Sequence, residues 1–228
     1  MGRFFDIDGP FMSGLTKVAD VFILNLLFLL CSLPIFTIGT STTALYYVTL
    51  KMVKDEDCYT AKSFFKSFKQ NFKQGTAIFL ILAVIGVVLY ADLKVMNGEY
   101  ADILTISEGV QKVMGIMLMA ATIFYVLVFA YVFPVLARFD NTVKNTIVNA
   151  LLMSIKHFPS TIAIVLINLL PLAFIYMEPK ALILVFVIFG LQAYCNSFFF
   201  VKIFKNYMPE ETLVSDENFE VLIDEENK

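Results

Sequence analysis

The chain has 228 residues, of which 59% are hydrophobic and only 16% charged, with mean hydropathy +0.77 and a net charge of −3. Soluble domains carry roughly 25% charged residues, so several long apolar runs and a slightly acidic balance exclude a soluble fold and argue against a nucleic-acid partner. Three scattered cysteines, Cys31, Cys58 and Cys195, exclude a disulfide framework, and a single histidine, His157, argues against a His-based metal site.

The first sixteen residues lack the basic start and small-x-small site of a cleaved signal. Phe4, Phe5, Phe11 and Met12 suggest an interfacial arm or a partly ordered leader. A first span is expected over 17–33, with Lys17 and Asp20 three residues apart and able to pair at its entrance, and with Asn25 inside it. Pro34 interrupts, because proline disfavours helical geometry in the residue before it. A second span over 35–53 opens on TIGTSTTA, which is polar for lipid. Gly39/Thr43 and Thr40/Ala44 place small residues four apart, which lets helix backbones approach closely. Spans one and two read as a tight hairpin, with a re-entrant second segment as the alternative.

After the acidic turn Lys54–Tyr59 comes AKSFFKSFKQNFKQG. Wound as a helix, Phe64, Phe65, Phe68 and Phe72 share one face, and Lys62, Lys66, Lys69 and Lys73 share the opposite one. This predicts an amphipathic helix over 61–74 on the membrane surface. A third span is expected over 76–92, a turn at Asn97-Gly98, and a fourth span over 113–137. A second amphipathic helix is expected over 144–158, with Ile147, Val148, Leu151, Leu152 and Ile155 on its apolar face. A fifth span over 160–177 carries Asn168, Glu178-Pro179 makes a turn, and a sixth span over 181–202 carries Gln192 and Asn196. Residues 206–228 hold eight acids and read as a solvated, disordered cytoplasmic tail, leaving 1–205 as one transmembrane domain.

The fold class is therefore an all-α membrane protein. It is a bundle of six (alternatively five) transmembrane helices with two cytoplasmic-side amphipathic helices. With the amino terminus inside and six crossings, 14 of the 17 basic residues face the cytoplasm, leaving only Lys94, Lys112 and Lys180 outside. If the second segment fails to cross, Arg3 and Lys17 move out and the split is 12 to 5. The positive-inside rule favours six crossings with both termini cytoplasmic. Tyr90 and Tyr176 then mark the outer interface and Tyr207 the inner one. Each amphipathic segment feeds a span opening on Thr76 or on Ser160-Thr161, a weak hint of duplication.

Two polar groupings are candidate sites. Asp20, Asn25, Thr37, Gly39, Thr40 and Thr43 form either a polar seam that carries substrate or receives a partner helix, or, for Asp20, an interfacial anchor. Asn168, Gln192 and Asn196 form an interior cluster that is either structural glue or part of a transport path. Lys62, Lys66, Lys69 and Lys73 contact lipid headgroups or dock a cytoplasmic partner. No phosphate loop, nucleophile elbow or zinc-protease motif is present, so no enzyme activity and no cofactor are expected.

The run Ser32-Leu33-Pro34-Ile35, continuing through Thr37-Ile38-Gly39 and Ser41-Thr42 to Ala44-Leu45-Tyr46-Tyr47, with Asp20, Asn25 and SFFKSFKQNFKQ, resembles the YesL-like family of bacterial membrane proteins. The match is specific in residues 1–80 and looser beyond. The resemblance implies a Gram-positive-type plasma-membrane protein of unknown function, encoded beside carbohydrate ABC importers, glycoside hydrolases and two-component sensors. It supplies no catalytic residues. Three roles follow as expectations: an accessory of a carbohydrate ABC importer docking on permease subunits or the ATPase, a small carrier in its own right, or a regulatory partner of a membrane sensor kinase. A cavity on the Thr37–Thr43 face favours the carrier, and a groove open to lipid favours docking.

Overall fold

A computed structural model describes residues 10–56, 59–96, 107–177 and 185–208. The interfacial arm at Phe4 and Phe5, the turns at Asn97-Gly98 and Glu178-Pro179, Cys58 and the acidic tail beyond Met208 lie outside the described residues. Seven α-helices make up the described fold. They are α1 (Pro10–Cys31), α2 (Ile38–Val53), α3 (Thr60–Met96), α4 (Glu108–Arg138), α5 (Val143–Lys156), α6 (Phe158–Met177) and α7 (Val185–Lys205). A short 3-10 turn, Ile35–Thr37, precedes α2.

Four of these helices, α1, α3, α4 and α7, are long and apolar enough to cross a bilayer by themselves, and the bent pair α5–α6 is a fifth candidate if it is one broken span rather than a re-entrant loop. The chain is thus built as a multi-pass helical membrane protein, with four to five candidate spans by length and composition. At 16 residues α2 is about 24 Å long, short of the roughly 30 Å hydrocarbon layer. Its polar start is not offered to lipid. Thr37, Gly39, Thr40, Ser41 and Thr43 are all buried against protein, as is most of the helix. The α1–α2 connection is closed locally: the Thr37 hydroxyl is shared between the carbonyl of Cys31, at the end of α1, and that of Pro34, which also accepts from the Thr37 amide.

The segment 61–74 is not a separate surface helix. It is the first half of α3, which runs unbroken through Gly75 for 37 residues, about 55 Å. Nor does its phenylalanine face simply dip into lipid. Phe64 is fully buried, Phe68 is half-buried and stacks on it, and Phe65 and Phe72 stay exposed at the edges. The four lysines all point outward. The cause is α2, which lies along this half of α3. A Cβ on Gly39 would stand 2.5 Å from the Gly75 carbonyl oxygen and 2.6 Å from Phe79 Cβ, and one on Gly75 would stand 2.9 Å from Thr40 Cα. Small residues four apart do permit a close crossing here, but the partner is α3 rather than α1. The Thr40 hydroxyl uses that proximity, donating to the Phe72 carbonyl at 3.2 Å and lying 3.2 Å from the Thr76 hydroxyl.

The second amphipathic segment behaves differently. α5 and α6 meet at 106° at His157. Proline at position 159 is tolerated in the first turn of a new helix but not inside a continuing one. The Thr161 hydroxyl donates to the Ser154 carbonyl at 2.7 Å and contacts the His157 carbonyl at 3.1 Å, pairing groups that the break exposes. The suggested duplication therefore has no geometric counterpart: one segment runs straight into its span and the other turns sharply. The buried face of α5 is also not its apolar one. Thr146, Ala150, Met153 and Ser154 point inward, while Val148, Leu152 and Ile155 are exposed.

The core sits where α2, α4 and α7 meet. Tyr131 and Phe200 pack edge to face at 5.0 Å, Phe200 stacks on Phe204, and Tyr46 packs against Phe200. Replacing Gly39 with Ala forces a methyl into backbone. Overpacking of this kind costs about 1–3 kcal/mol, so the thermal midpoint of Gly39→Ala in detergent should fall. Gly14→Ala, where nothing lies within 4 Å, should hold or raise it by the helix-propensity gain of roughly 0.5–1 kcal/mol.

Candidate functional site

The expected seam is not brought together. Asp20 does not pair with Lys17; its carboxylate accepts from the Thr60 hydroxyl at 2.8 Å, tying α1 to the start of α3. Lys17 instead forms an ion pair with Asp55, in the α2–α3 turn where Asp55 adopts φ 55°, a left-handed conformation that aspartate tolerates. Asn25 faces α7. Its side-chain oxygen accepts from the Gly190 amide at 2.8 Å, and a Cβ on Gly190 would stand 2.7 Å from the Val21 carbonyl oxygen. Thr37 closes the turn, Gly39 and Thr40 bind α3, and Thr43 donates to the Gly39 carbonyl at 2.9 Å. Of these six residues, Asp20, Gly39 and Thr40 contact α3 and Asn25 contacts α7, while Thr37 and Thr43 bond within the α1–α2 segment.

The second grouping does assemble. Asn168 on α6 presents one oxygen to two donors, Gln192 Nε2 at 2.7 Å and Asn196 Nδ2 at 2.8 Å, both on α7 one turn apart. Spacing of four on a helix puts Gln192 and Asn196 on one face, and this was legible in the sequence. Tyr46 was not singled out by sequence. Its hydroxyl lies 3.2 Å from Asn196 Nδ2 and brings α2 into the network. One turn further, Thr49 and Ser197 share a bond of 2.8 Å. Nothing in an apolar run flags one tyrosine over another, so tertiary proximity was needed to find it.

Asn168, Gln192 and Tyr46 of this network line a cavity of about 430 Å³ between α2, α4, α6 and α7. Ile38, Thr42, Leu45 and Tyr46 contribute from α2. Aromatic walls come from Phe28, Phe129, Phe133 and Phe189. All its described lining residues are uncharged. The volume lies within the roughly 300–1,000 Å³ of small-molecule sites.

At the other end of the bundle, His157 Nε2 lies 3.2 Å from the Tyr207 hydroxyl, and Lys156 sits over the Tyr207 ring. Tyr207 is thus a clamp between α7 and the α5–α6 corner rather than a free interfacial anchor, whereas Tyr90 and Tyr176 are exposed. Among the described residues no cluster of three His, Cys, Asp or Glu side chains is placed to hold a metal.

Fold and site define a multi-pass helical membrane protein with a small uncharged interior cavity. Residues 21–93 match the family described as "Protein of unknown function, DUF624". The chain is 27% identical over 153 residues to the uncharacterized protein YteU of Bacillus subtilis (strain 168), covering 67% of this chain and 65% of YteU. It is 23% identical over 138 residues to the uncharacterized protein YesL of the same organism, covering 60% of this chain and 61% of YesL. The matches thus span less than two thirds of either relative. The chain is a homologue of both, and the resemblance to the YesL-like family of unknown function holds. No solved structure matches it.

Because Asn168 serves two donors with one oxygen, its truncation should be felt through both partners. Membrane hydrogen bonds of this type average about 0.6 kcal/mol and reach about 1.7. Double-mutant cycles of Asn168→Ala with Gln192→Ala and with Asn196→Ala, read by unfolding in mixed micelles, should each return coupling of that order, whereas Asn168→Ala with Thr122→Ala should be additive.

Proposed function

We propose that this protein is a non-catalytic membrane accessory or subunit of a carbohydrate ABC importer, docking at its cytoplasmic face on permease subunits or the ATPase. The observation that carries the reading is the row Lys62, Lys66, Lys69 and Lys73, all exposed on a helix continuous with a span. A rigid helix presents four charges at fixed spacing, which suits electrostatic registration with a partner. The neighbouring surface fits the same role. Gln74 on α3 donates to the Asn141 carbonyl at 3.1 Å, just before α5, whose Val148, Leu152 and Ile155 form an exposed apolar stripe. The carbohydrate assignment rests on the YesL-like resemblance and its gene neighbourhood. In this reading the protein crosses a bacterial plasma membrane six times, with α2 as the sixth, protein-sealed crossing and both termini cytoplasmic.

A second reading, a small carrier, draws on the cavity between α2, α4, α6 and α7. A regulatory partner of a sensor kinase would instead change signalling and leave sugar uptake intact when the gene is deleted.

Tagged full-length protein, purified from its native membrane in mild detergent, should recover permease or ATPase subunits; recovery of neither overturns the proposal. The triple change Lys62→Glu, Lys66→Glu and Lys69→Glu should cut recovery by more than about tenfold, the effect of roughly 1.4 kcal/mol. Its thermal midpoint should not move, because these side chains are exposed. Equal recovery by both forms would confine the lysines to lipid headgroups. Cysteines introduced singly at Lys73 and at Tyr90 should react with impermeant reagent from opposite sides of sealed vesicles.

A further inference from the structure

The amide network beside the cavity does not use all of its hydrogen-bonding capacity. Asn168 Oδ1 accepts from both Gln192 Nε2 and Asn196 Nδ2, and Asn196 Nδ2 reaches Tyr46 as well. Those bonds leave over the Asn168 amide protons, the Tyr46 hydroxyl proton and Gln192 Oε1, on three residues that line the cavity. Behind them Asn196 Oδ1 is buried with no hydrogen-bond partner among the described residues. Leaving a buried polar atom unpaired costs about 1–3 kcal/mol. The site therefore holds donor and acceptor capacity together on three residues that line a mostly apolar chamber of about 430 Å³.

We propose that this cavity binds a neutral amphiphile drawn from the lipid phase, with a hydroxyl-bearing head on Asn168, Gln192 and Tyr46 and its apolar chain along Phe28, Phe129 and Phe133. Each part of that description excludes an alternative. A hydroxyl group donates and accepts at once, matching the leftover groups of both kinds. A plain hydrocarbon would leave them unpaired. A phosphate or carboxylate head would be buried among uncharged side chains, and an unpaired buried ion costs several kcal/mol. A free sugar carries polar groups over its whole surface, whereas aromatic and aliphatic side chains make up most of this lining, with Thr42 and Tyr125 the other polar residues. A monoacylglycerol has the required chemistry: uncharged, hydroxylated at one end and apolar along its length. No residue of α3, which carries the lysine row, is among the described lining, and the site stands whether or not a permease subunit is recovered.

The test is native mass spectrometry of the full chain released from detergent micelles containing either 1-monooleoylglycerol or its phosphorylated counterpart, 1-oleoylglycerol 3-phosphate. One saturable monooleoylglycerol adduct per chain is expected, at least tenfold tighter than the phosphorylated lipid. Ala130→Phe, which fills the cavity from α4 without touching an amide, should weaken it at least tenfold. Equal binding of the two lipids, adducts that never saturate, or an unaffected Ala130→Phe would overturn the proposal. If Ala130→Phe does not give a monodisperse protein, Val126→Trp replaces it. Val126 lines the cavity and is 40% exposed, and the chain has no other tryptophan. Dibromostearoylglycerol should quench that tryptophan to saturation at one lipid per chain. Quenching that rises linearly, as with dibrominated phosphatidylcholine at the same mole fraction, would overturn the proposal equally.

Discussion

Everything around α2 depends on how closely its backbone approaches α3. With no side chain at Gly39 or Gly75, the two helices meet at a distance that a single methyl on either would violate. That approach lets the Thr40 hydroxyl reach a backbone carbonyl on the neighbouring helix. It also decides what the first half of α3 is. A phenylalanine and lysine stripe with nothing beside it would lie in the headgroup layer. With α2 alongside, Phe64 goes into the core and the lysines are left as the outer surface of the bundle wall. A short polar helix and a charged amphipathic one thus solve each other's problem.

A second constraint is the bilayer itself. Water is not available in its interior to pair backbone and side-chain polar groups, so neighbouring helices must pair them. Asn25 reaches a backbone amide of α7, Thr49 pairs with Ser197, and Tyr131 shares a 2.7 Å bond with Thr161 at the α5–α6 corner. Each sits at a helix contact, and together they fix which helix lies next to which. The Asn168–Gln192–Asn196–Tyr46 network differs, because it retains unused donors and acceptors and borders a cavity. Fully paired groups hold a fold together, and partly paired groups beside open volume are where a ligand gains most from binding.

The two amphipathic segments show how much local chemistry can change the use of one pattern. Both place apolar and polar residues on opposite faces at helical spacing. In the first, glycine at position 75 lets the helix continue because the residue is needed for packing rather than for a turn. In the second, Pro159 removes a backbone donor two residues after His157, and the chain turns through 106°. The turned helix then packs with Thr146, Ala150, Met153 and Ser154 inward, the small residues among them permitting close approach to the bundle, and Val148, Leu152 and Ile155 face out.

The sequence by itself determined that the chain is a helical membrane protein, approximately where its helices lie, and that Gln192 and Asn196 share a face. These follow from composition and from the 3.6-residue period, which are local properties. It also pointed to close packing at Gly39 and Thr40, because small residues four apart carry that meaning in lipid. Which helix fills that groove was decided only by tertiary structure, as were the pairing of Lys17 with Asp55 rather than Asp20, the inward face of α5, and Tyr46 joining the amide network. Each depends on which surfaces of distant segments meet. That is set by the summed packing and hydrogen bonding of the whole bundle, and no spacing within one helix encodes it.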